Sequence, residues 1–340
     1  MKNAYQPPCT ITAEILKLAA DISEQIGRFS VSHLSDSALR LRRINRIKTV
    51  HGSLAIEGNT LSEEQITAIL EGKRVLAPPK EIKEVENALG VYDQLEEWEP
   101  SSLNDLLKAH QVMMSDLIIE SGQFRSSGVG VMKGQDVVHM APPASMVPTL
   151  INQLLLWVKE SQDHPLIVSS IFHYEFEYIH PFADGNGRMG RLWQTLILSR
   201  WNPLFAWLPV ENMVFKHQKQ YYGAIEASTR CADTAAFVEF MLKAILETLQ
   251  DVSQTTPGVT PEVTPEVKKL LRVLKGEMSR TELMGKLSLK DEKNFRLRYI
   301  QMALEAGLIV RTIPEKPNSR LQKYRLSNRG MNYQKRLKKA

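Results

Sequence analysis

His180, Asp184, Arg188 and Arg191 fall within the stretch HPFADGNGRMGR, residues 180 to 191, together with a Gly185-Asn186-Gly187 turn. Glycine is poor in a helix and arginine resists burial, so a purely structural segment rarely collects this set. Pro181 interrupts helical continuation after FHYEFEYI, and RMGRLWQTLILSR resumes helical periodicity, which gives the order helix, glycine-rich loop, helix. The amides of such a loop, from Gly185 through Asn186, Gly187, Arg188 and Met189 to Gly190, combine with the dipole of the following helix into an anion site suited to phosphate. Arg188 and Arg191, spaced i, i+3 on the first turn, direct two guanidinium forks toward one polyphosphate. Asp184 supplies an oxygen ligand for Mg²⁺, with Mn²⁺ as a substitute, since Mg²⁺ commonly takes one or two carboxylates and the phosphates themselves. His180 titrates near neutrality and is able to accept a proton at the edge of the loop.

Two other metals fit the same residues less well. A calcium loop beginning at DGNG has Arg188 at its fifth position and Thr195 at its twelfth, where a Glu is needed. A zinc site from His173, Glu177 and His180, spaced i, i+4, i+7, requires a helix running straight through and leaves the glycines unused. Both are disfavoured against the phosphate reading.

The rest of the chain must position this loop. At 340 residues, 43% hydrophobic and 24% charged, it has the composition of a soluble globular protein of two or three domains. The N-terminus lacks the charged start and apolar run of a signal peptide, and no later window approaches eighteen uninterrupted apolar residues, so a cytoplasmic protein without a membrane partner is expected. Cys9 and Cys231 are far apart and outside any CxxC spacing, which supports neither a disulfide framework nor a thiolate zinc site.

Net charge of +5 hides an asymmetry. Residues 268 to 340 hold 20 Lys and Arg against 6 Asp and Glu, a charge of +14, which leaves −9 on residues 1 to 267. Between the two lies TPGVTPEVTPEV, a Thr-Pro-x-Val unit written three times, whose prolines forbid a regular helix. The expected organisation is an N-terminal helical region at 1–100, a core at 101–250, a linker at 251–267 and a basic domain at 268–340.

Upstream of the linker the patterns are helical. Leu41, Ile44, Ile47, Val50 and Leu54 recur every three or four residues, predicting an amphipathic helix over about 36–58 that Gly58 closes. Glu57 ends that helix where its charge faces the negative end of the macrodipole, at a cost of about 0.3 to 1 kcal/mol, so a compensating partner is expected. SLNDLLKAHQVMMSDLI and MVPTLINQLLLWVKE read as further helices, and VGVMKGQDVVHMAPP as a small hairpin turning at Lys133 and Gly134. In the basic domain, Ser279 and Glu282 form a capping box, Gly307 closes a helix, and IVRTI and LQKYRL flank a Pro/Asn turn like a wing.

With these residues in place, the chain resembles the Fic family, whose signature His-Pro-Phe-x-Asp-Gly-Asn-Gly-Arg-x-x-Arg it matches at every defining position. The likeness runs from about Ser53 to Phe240 and touches the basic C-terminal unit. It implies an all-α fold, a Fic-type helical bundle with a small β-hairpin flap, followed by a C-terminal winged helix-turn-helix domain. It implies an enzyme that transfers AMP from ATP to a Tyr, Ser or Thr hydroxyl of a target protein, itself included, with Mg²⁺. By the same resemblance His180 deprotonates the hydroxyl, Asp184 holds the metal, Asn186 and the loop amides hold phosphate, and Arg188 and Arg191 bind the outer phosphates.

The resemblance assigns other segments too. GQFRSSGVGVMKG is similar to the flap that clamps the target's side chain, with Val129, Gly130, Val131 and Met132 nearest the nucleotide. Tyr221 and Tyr222 match a tyrosine pair lining the adenine pocket, and Thr229 stands where many relatives carry an asparagine against the base. Ser53 and Glu57 match an inhibitory helix whose glutamate pairs with the second signature arginine, here Arg191. A homodimer is an implied partner. The winged helix suits nucleic acid, with Lys293, Arg296 and Arg298 early in its recognition helix, or protein docking. Competing readings are a DNA-binding regulator whose Fic domain senses nucleotide, and a hydrolase that removes AMP with Glu57 orienting water.

Overall fold

A computed structural model of the chain describes residues 5–32, 37–128, 130–133, 136–255, 265–287, 289, 291–305, 307–313, 319 and 322–337. Val129, the turn at residue 134 and most of the Thr-Pro-x-Val segment lie outside them, as do the side chains of residues 130–140 and of Lys293. The chain divides into two units, Met1–Leu34 with Arg40–Ser253 and Ser35–Leu39 with Gln254–Ala340.

Ahead of residue 256 come α1 (Ala13–Ser32), α2 (Ser37–Ile56), α3 (Glu63–Leu70), α4 (Pro79–Asp93) and α5 (Leu103–Met113). The antiparallel hairpin β1 (Gly130–Lys133) and β2 (Asp136–Met140) follows, with a bulge between Val131 and Met132. Then come α6 (Val147–Glu160), α7 (Pro165–Ile179), α8 (Asn186–Trp201), α9 (Val210–Lys216), α10 (Gln218–Cys231) and α11 (Ala235–Thr255). α7 buries residues on every side, including Ser169 and His173 at 0% exposure, which marks it as the central helix of the bundle. α8 packs along it with Met189, Leu192, Trp193 and Leu196 fully buried. The signature loop joins these two helices, so the site is built on buried, closely packed elements of the unit.

α2 buries Ile47, Val50 and Leu54, while Ile44 stays 38% exposed and the Leu41 side chain lies outside the described residues; Gly58 turns the chain at φ +92°. The helix expected through SLNDLLKAHQVMMSDLI stops at Met113, and Asp116 at φ 59° turns the chain although its apolar residues continue.

The second unit comprises α12 (Pro265–Val273), β3 (Met278–Ser279), α13 (Arg280–Lys286) and α14 (Glu292–Phe295), which runs through a π-helical turn into α15 (Met302–Glu305). After it come β4 (Ile309–Arg311), β5 (Lys323–Leu326) and α16 (Asn328–Leu337). Ser279 and Glu282 exchange the expected capping-box hydrogen bonds, Glu282 N–H donating to Ser279 Oγ at 3.3 Å and Ser279 N–H to Glu282 Oε2 at 2.7 Å. β5 lies between β3 and β4 in an antiparallel sheet, and the expected IVRTI and LQKYRL segments contain β4 and β5. Phe295, Ile300, Leu270, Leu271 and Leu308 form its separate core. Among the described residues no helix is long and apolar enough to cross a membrane.

Candidate active site

α7 ends at Ile179, and His180 adopts the left-handed conformation (φ 51°, ψ 62°) while its N–H still donates to Phe176 O at 2.9 Å. A non-glycine residue held there marks a loop fixed by its surroundings. Phe182 is fully buried, and its ring stacks on His110 at 3.6 Å. Asn186, itself 2% exposed, accepts from Phe182 N–H and donates to Phe182 O, both at 2.9 Å. The Asn186 side chain is thus committed to folding the loop, and what it offers an anion is its main-chain amide. With Gly185 as N-cap, the first amides of α8 have no partner inside the helix and converge on the loop.

His110 steadies this loop from α5. Gly122 N–H donates to His110 Nδ1 at 2.8 Å, which fixes Nδ1 as acceptor, so Nε2 carries the proton and donates to Asp184 O at 3.0 Å. Burial pushes the imidazole down to about 4, so the neutral form that the hydrogen bonds require persists at neutral pH.

The two signature arginines meet carboxylates from the N-terminal helices. Arg191, 2% exposed, donates from Nη2 to Glu57 Oε1 at 2.6 Å and to Ser53 O at 3.0 Å, and from Nε to Ser53 Oγ at 3.2 Å. Burial works against its charge, but Glu57, Tyr221 and Glu177 together outweigh burial and hold the guanidinium above its ordinary value. The expected partner for Glu57 is therefore present. Arg188, 4% exposed, sits 3.2 Å from Asp184 Oδ1 and 3.8 Å from Glu84 Oε1 of α4. Asn59, just past the α2 turn, donates to Glu84 Oε2 at 2.9 Å. Glu84 and Asn59 lie in segments without a repeating signal, and sequence reasoning did not single them out.

A cavity of about 750 Å³ opens beside the loop, and Glu57, His180, Asp184, Gly185, Asn186, Gly187, Arg191, Tyr221 and Tyr222 all line it. Three expected phosphate ligands, and Ser53 of the inhibitory helix, do not. Met189 is fully buried in the core, because a helix starting at Asn186 turns that position inward. Gly190 serves packing: a Cβ there would stand 2.9 Å from His173 Cδ2. Arg188 is turned toward Glu84 and Asp184, so the two guanidinium groups do not share the cavity, and Ser53, 1% exposed, acts through Arg191. The tyrosine pair divides as well. Tyr222 is 48% exposed, whereas Tyr221 is buried with its hydroxyl 3.1 Å from His173 Nε2.

His173 is also 2.6 Å from Gln194 Oε1, and burial brings it to about 3. These bonds, and the end of α7 before His180, remove the straight ladder a His173–Glu177–His180 zinc site would need. Glu177 lines the cavity as a second carboxylate facing Arg191; burial lifts it to about 7 against the pull of Arg191 and with the help of Glu57. Among the described residues no group of three His, Cys, Asp or Glu is placed to hold a metal. Half-exposed Asp184 fits a Mg²⁺ whose remaining ligands are phosphate oxygens and water.

Comparison with known proteins agrees with this geometry. Residues 100–198 match the Fic/DOC family, and residues 265–327 match the domain described as "Filamentation induced by cAMP protein Fic-like, C-terminal domain". Two curated relatives bear the name "Protein adenylyltransferase Fic". The protein from Aedes aegypti is 30% identical over 237 residues, 65% of this chain and 45% of that protein. The one from Drosophila mojavensis is 28% identical over 255 residues, 70% of this chain and 48% of that protein. The chain thus spans less than half the length of these relatives. Among solved structures, Fic-1 from Caenorhabditis elegans shares the fold, with a TM-score of 0.59 and 23% identity over 72% of this chain and 73% of that one. A Fic family protein from Desulfovibrio desulfuricans G20 superposes with a TM-score of 0.73 and 48% identity over 95% of this chain and 99% of that one. Likeness of that extent, over both units and the complete signature loop, makes this chain a member of the Fic family.

Proposed function

We propose that the chain is a protein adenylyltransferase that transfers AMP from ATP to a Tyr, Ser or Thr hydroxyl of a target protein, its own chain included, and that Glu57 restrains it. The observation that carries this reading is Arg191. It stands on the first turns of a helix whose amides suit phosphate, on the cavity that His180 also lines, and its guanidinium is taken by a carboxylate from 134 residues away. A carboxylate in that position mimics a terminal phosphate.

In the reaction, His180 takes the proton from the target hydroxyl as its oxygen attacks the α-phosphorus in line. The bond to the bridging oxygen of the β-phosphate breaks and pyrophosphate leaves with the electron pair. The loop amides and Arg191 hold the phosphates, so positioning and charge neutralisation supply most of the acceleration. Mg²⁺, held by Asp184 with the phosphates, would neutralise their negative charge. Tyr222 and the neighbourhood of Thr229 suit the nucleoside end; the Thr229 hydroxyl is 2.9 Å from Ile225 O and 3.0 Å from Tyr174 Oη. The exposed free thiol of Cys231 suits the reducing cytoplasm.

Incubation with ATP labelled at either the α- or the γ-phosphate tests the reading. Label is expected from the α-position alone, and His180→Ala is expected to keep nucleotide binding and lose transfer. Undiminished transfer in that variant would remove His180 from its role. Removal of AMP is favoured as a second reaction by one observation: Glu57 is on the cavity wall and 37% exposed, where it could orient a water.

A further inference from the structure

Arg125 belongs to the stretch GQFR ahead of β1, has no place in the signature, and is 4% exposed. Its Nε–H donates to His180 O at 2.7 Å, and its Nη2 to Ile179 O at 3.3 Å. The same Nη2 donates to Pro142 O at 2.5 Å, and Nη1 to Ser127 O at 2.8 Å. Its main-chain N–H donates to Pro181 O at 2.9 Å. One side chain therefore ties three carbonyl-bearing segments together: the end of α7, the segment ahead of the hairpin at Ser127 and the segment after it at Pro142.

Burying a guanidinium is unfavourable, and burial does pull Arg125 below the ordinary arginine value. Two features offset this. The carbonyls of Ile179 and His180 are at the C-terminal end of α7, where the helix dipole is negative and the last carbonyls lack intrahelical donors. The planar fork reaches several acceptors at once, which a lysine ammonium on a flexible stem does not reproduce. The bonds also brace the carbonyl of the residue in the left-handed conformation, His180.

We propose that Arg125 is a positioning residue that holds the β1–β2 hairpin in register with His180, so that a hydroxyl presented on the hairpin meets the base. This rests on the transferase reading above. A base and an acceptor held by different segments must agree to within about 1 Å, since a misplacement of that size can cost about a hundredfold in rate. Arg125 bonds to main-chain carbonyls of both His180 and the two segments that flank the hairpin.

The test uses the full chain carrying Glu57→Gly, with ATP as the nucleotide probe and the chain itself as acceptor. Arg125→Ala and Arg125→Lys are compared with this parent for self-labelling rate, ATP dissociation constant, melting temperature, and hydrogen exchange of the hairpin amides. The proposal expects ATP affinity within about threefold of the parent, labelling slowed by about a hundredfold in Arg125→Ala and by less in Arg125→Lys. It also expects faster exchange confined to residues 130–140 in Arg125→Lys. Labelling at the parent rate in a folded Arg125→Ala, or equal losses of ATP affinity and labelling, would overturn it. Should Arg125→Ala fail to fold, Arg125→Lys decides by the same readings. A parent that never takes label would count against the transferase reading; exchange then decides the coupling, and hairpin amides as protected in Arg125→Lys as in the parent would overturn it.

Discussion

Gly52 of α2 rests directly on the backbone of Asn212 in α9: a Cβ on Gly52 would stand 2.5 Å from both N and Cα of Asn212 and 2.7 Å from the carbonyl carbon of Glu211. Ser53, next on α2, and Glu57, the first residue past its end, are the residues that engage Arg191. The seating of α2 thus depends on a missing side chain. Gly52→Ala must push the helix off α9, because its clash is with backbone that cannot rotate away.

Gly52→Ala is therefore expected to raise self-labelling several-fold over wild type with Glu57 and Arg191 both intact. It should also lower the melting temperature, since overpacking typically costs about 1 to 3 kcal/mol. Combined with Glu57→Gly it should add nothing further. A folded Gly52→Ala chain with wild-type labelling would show that α2 seating does not govern the site.

Glu177 gives a pH signature. Its folded value of about 7 exceeds the ordinary 4.5, so the folded chain binds a proton there that the unfolded chain lacks. That stability is complete below pH 4.5 and is lost as pH rises through about 7. The depressed values of His110 and His173 act in the opposite sense, so the difference from Glu177→Gln is the clean reading. Wild type should gain on Glu177→Gln by about 1.4 kcal/mol per pH unit as acid is added within that window. Parallel denaturant-melting curves across that range would contradict the burial of Glu177.

The basic second unit is expected to give the full chain weak, sequence-independent binding to duplex DNA. Arg296 and Arg298 are exposed on it. The logarithm of affinity should fall linearly with the logarithm of salt, with a slope of about 0.9 per neutralised phosphate, and Arg296→Ala with Arg298→Ala should flatten it. No binding at low salt would leave protein docking as the use of this surface.

Much of the site was legible because its residues are contiguous. HPFADGNGRMGR lies between two strongly periodic segments, and Ser53, Glu57 and Gly58 close a third, so local spacing revealed the loop and a carboxylate in need of a partner, while it was the resemblance that named Arg191. The pattern set the next helix at Arg188, whereas α8 begins at Asn186 and turns Met189 and Gly190 inward, away from the cavity. Arg125, Glu84 and Asn59 act across 25 to 104 residues from aperiodic or unremarkable positions. A single long-range hydrogen bond leaves no period in a sequence. Gly52 was invisible for the same reason, since its role is the proximity of a distant backbone.

The pairing of Glu57 with Arg191 is tested most directly by intact-mass measurement of AMP adducts on the full chain after incubation with ATP and Mg²⁺. If Glu57 occupies Arg191, the guanidinium cannot hold the terminal phosphate, and the α-phosphorus is misaligned for attack; a displacement of about 1 Å there can cost about a hundredfold. Glu57→Gly is expected to carry far more adduct than wild type with a smaller change in ATP affinity, Glu57→Gly with Arg191→Ala to recover little of it, and Glu57→Gly with His180→Ala to carry none. Equal adduct on wild type and Glu57→Gly, or full labelling of the Arg191→Ala double variant, would contradict the account.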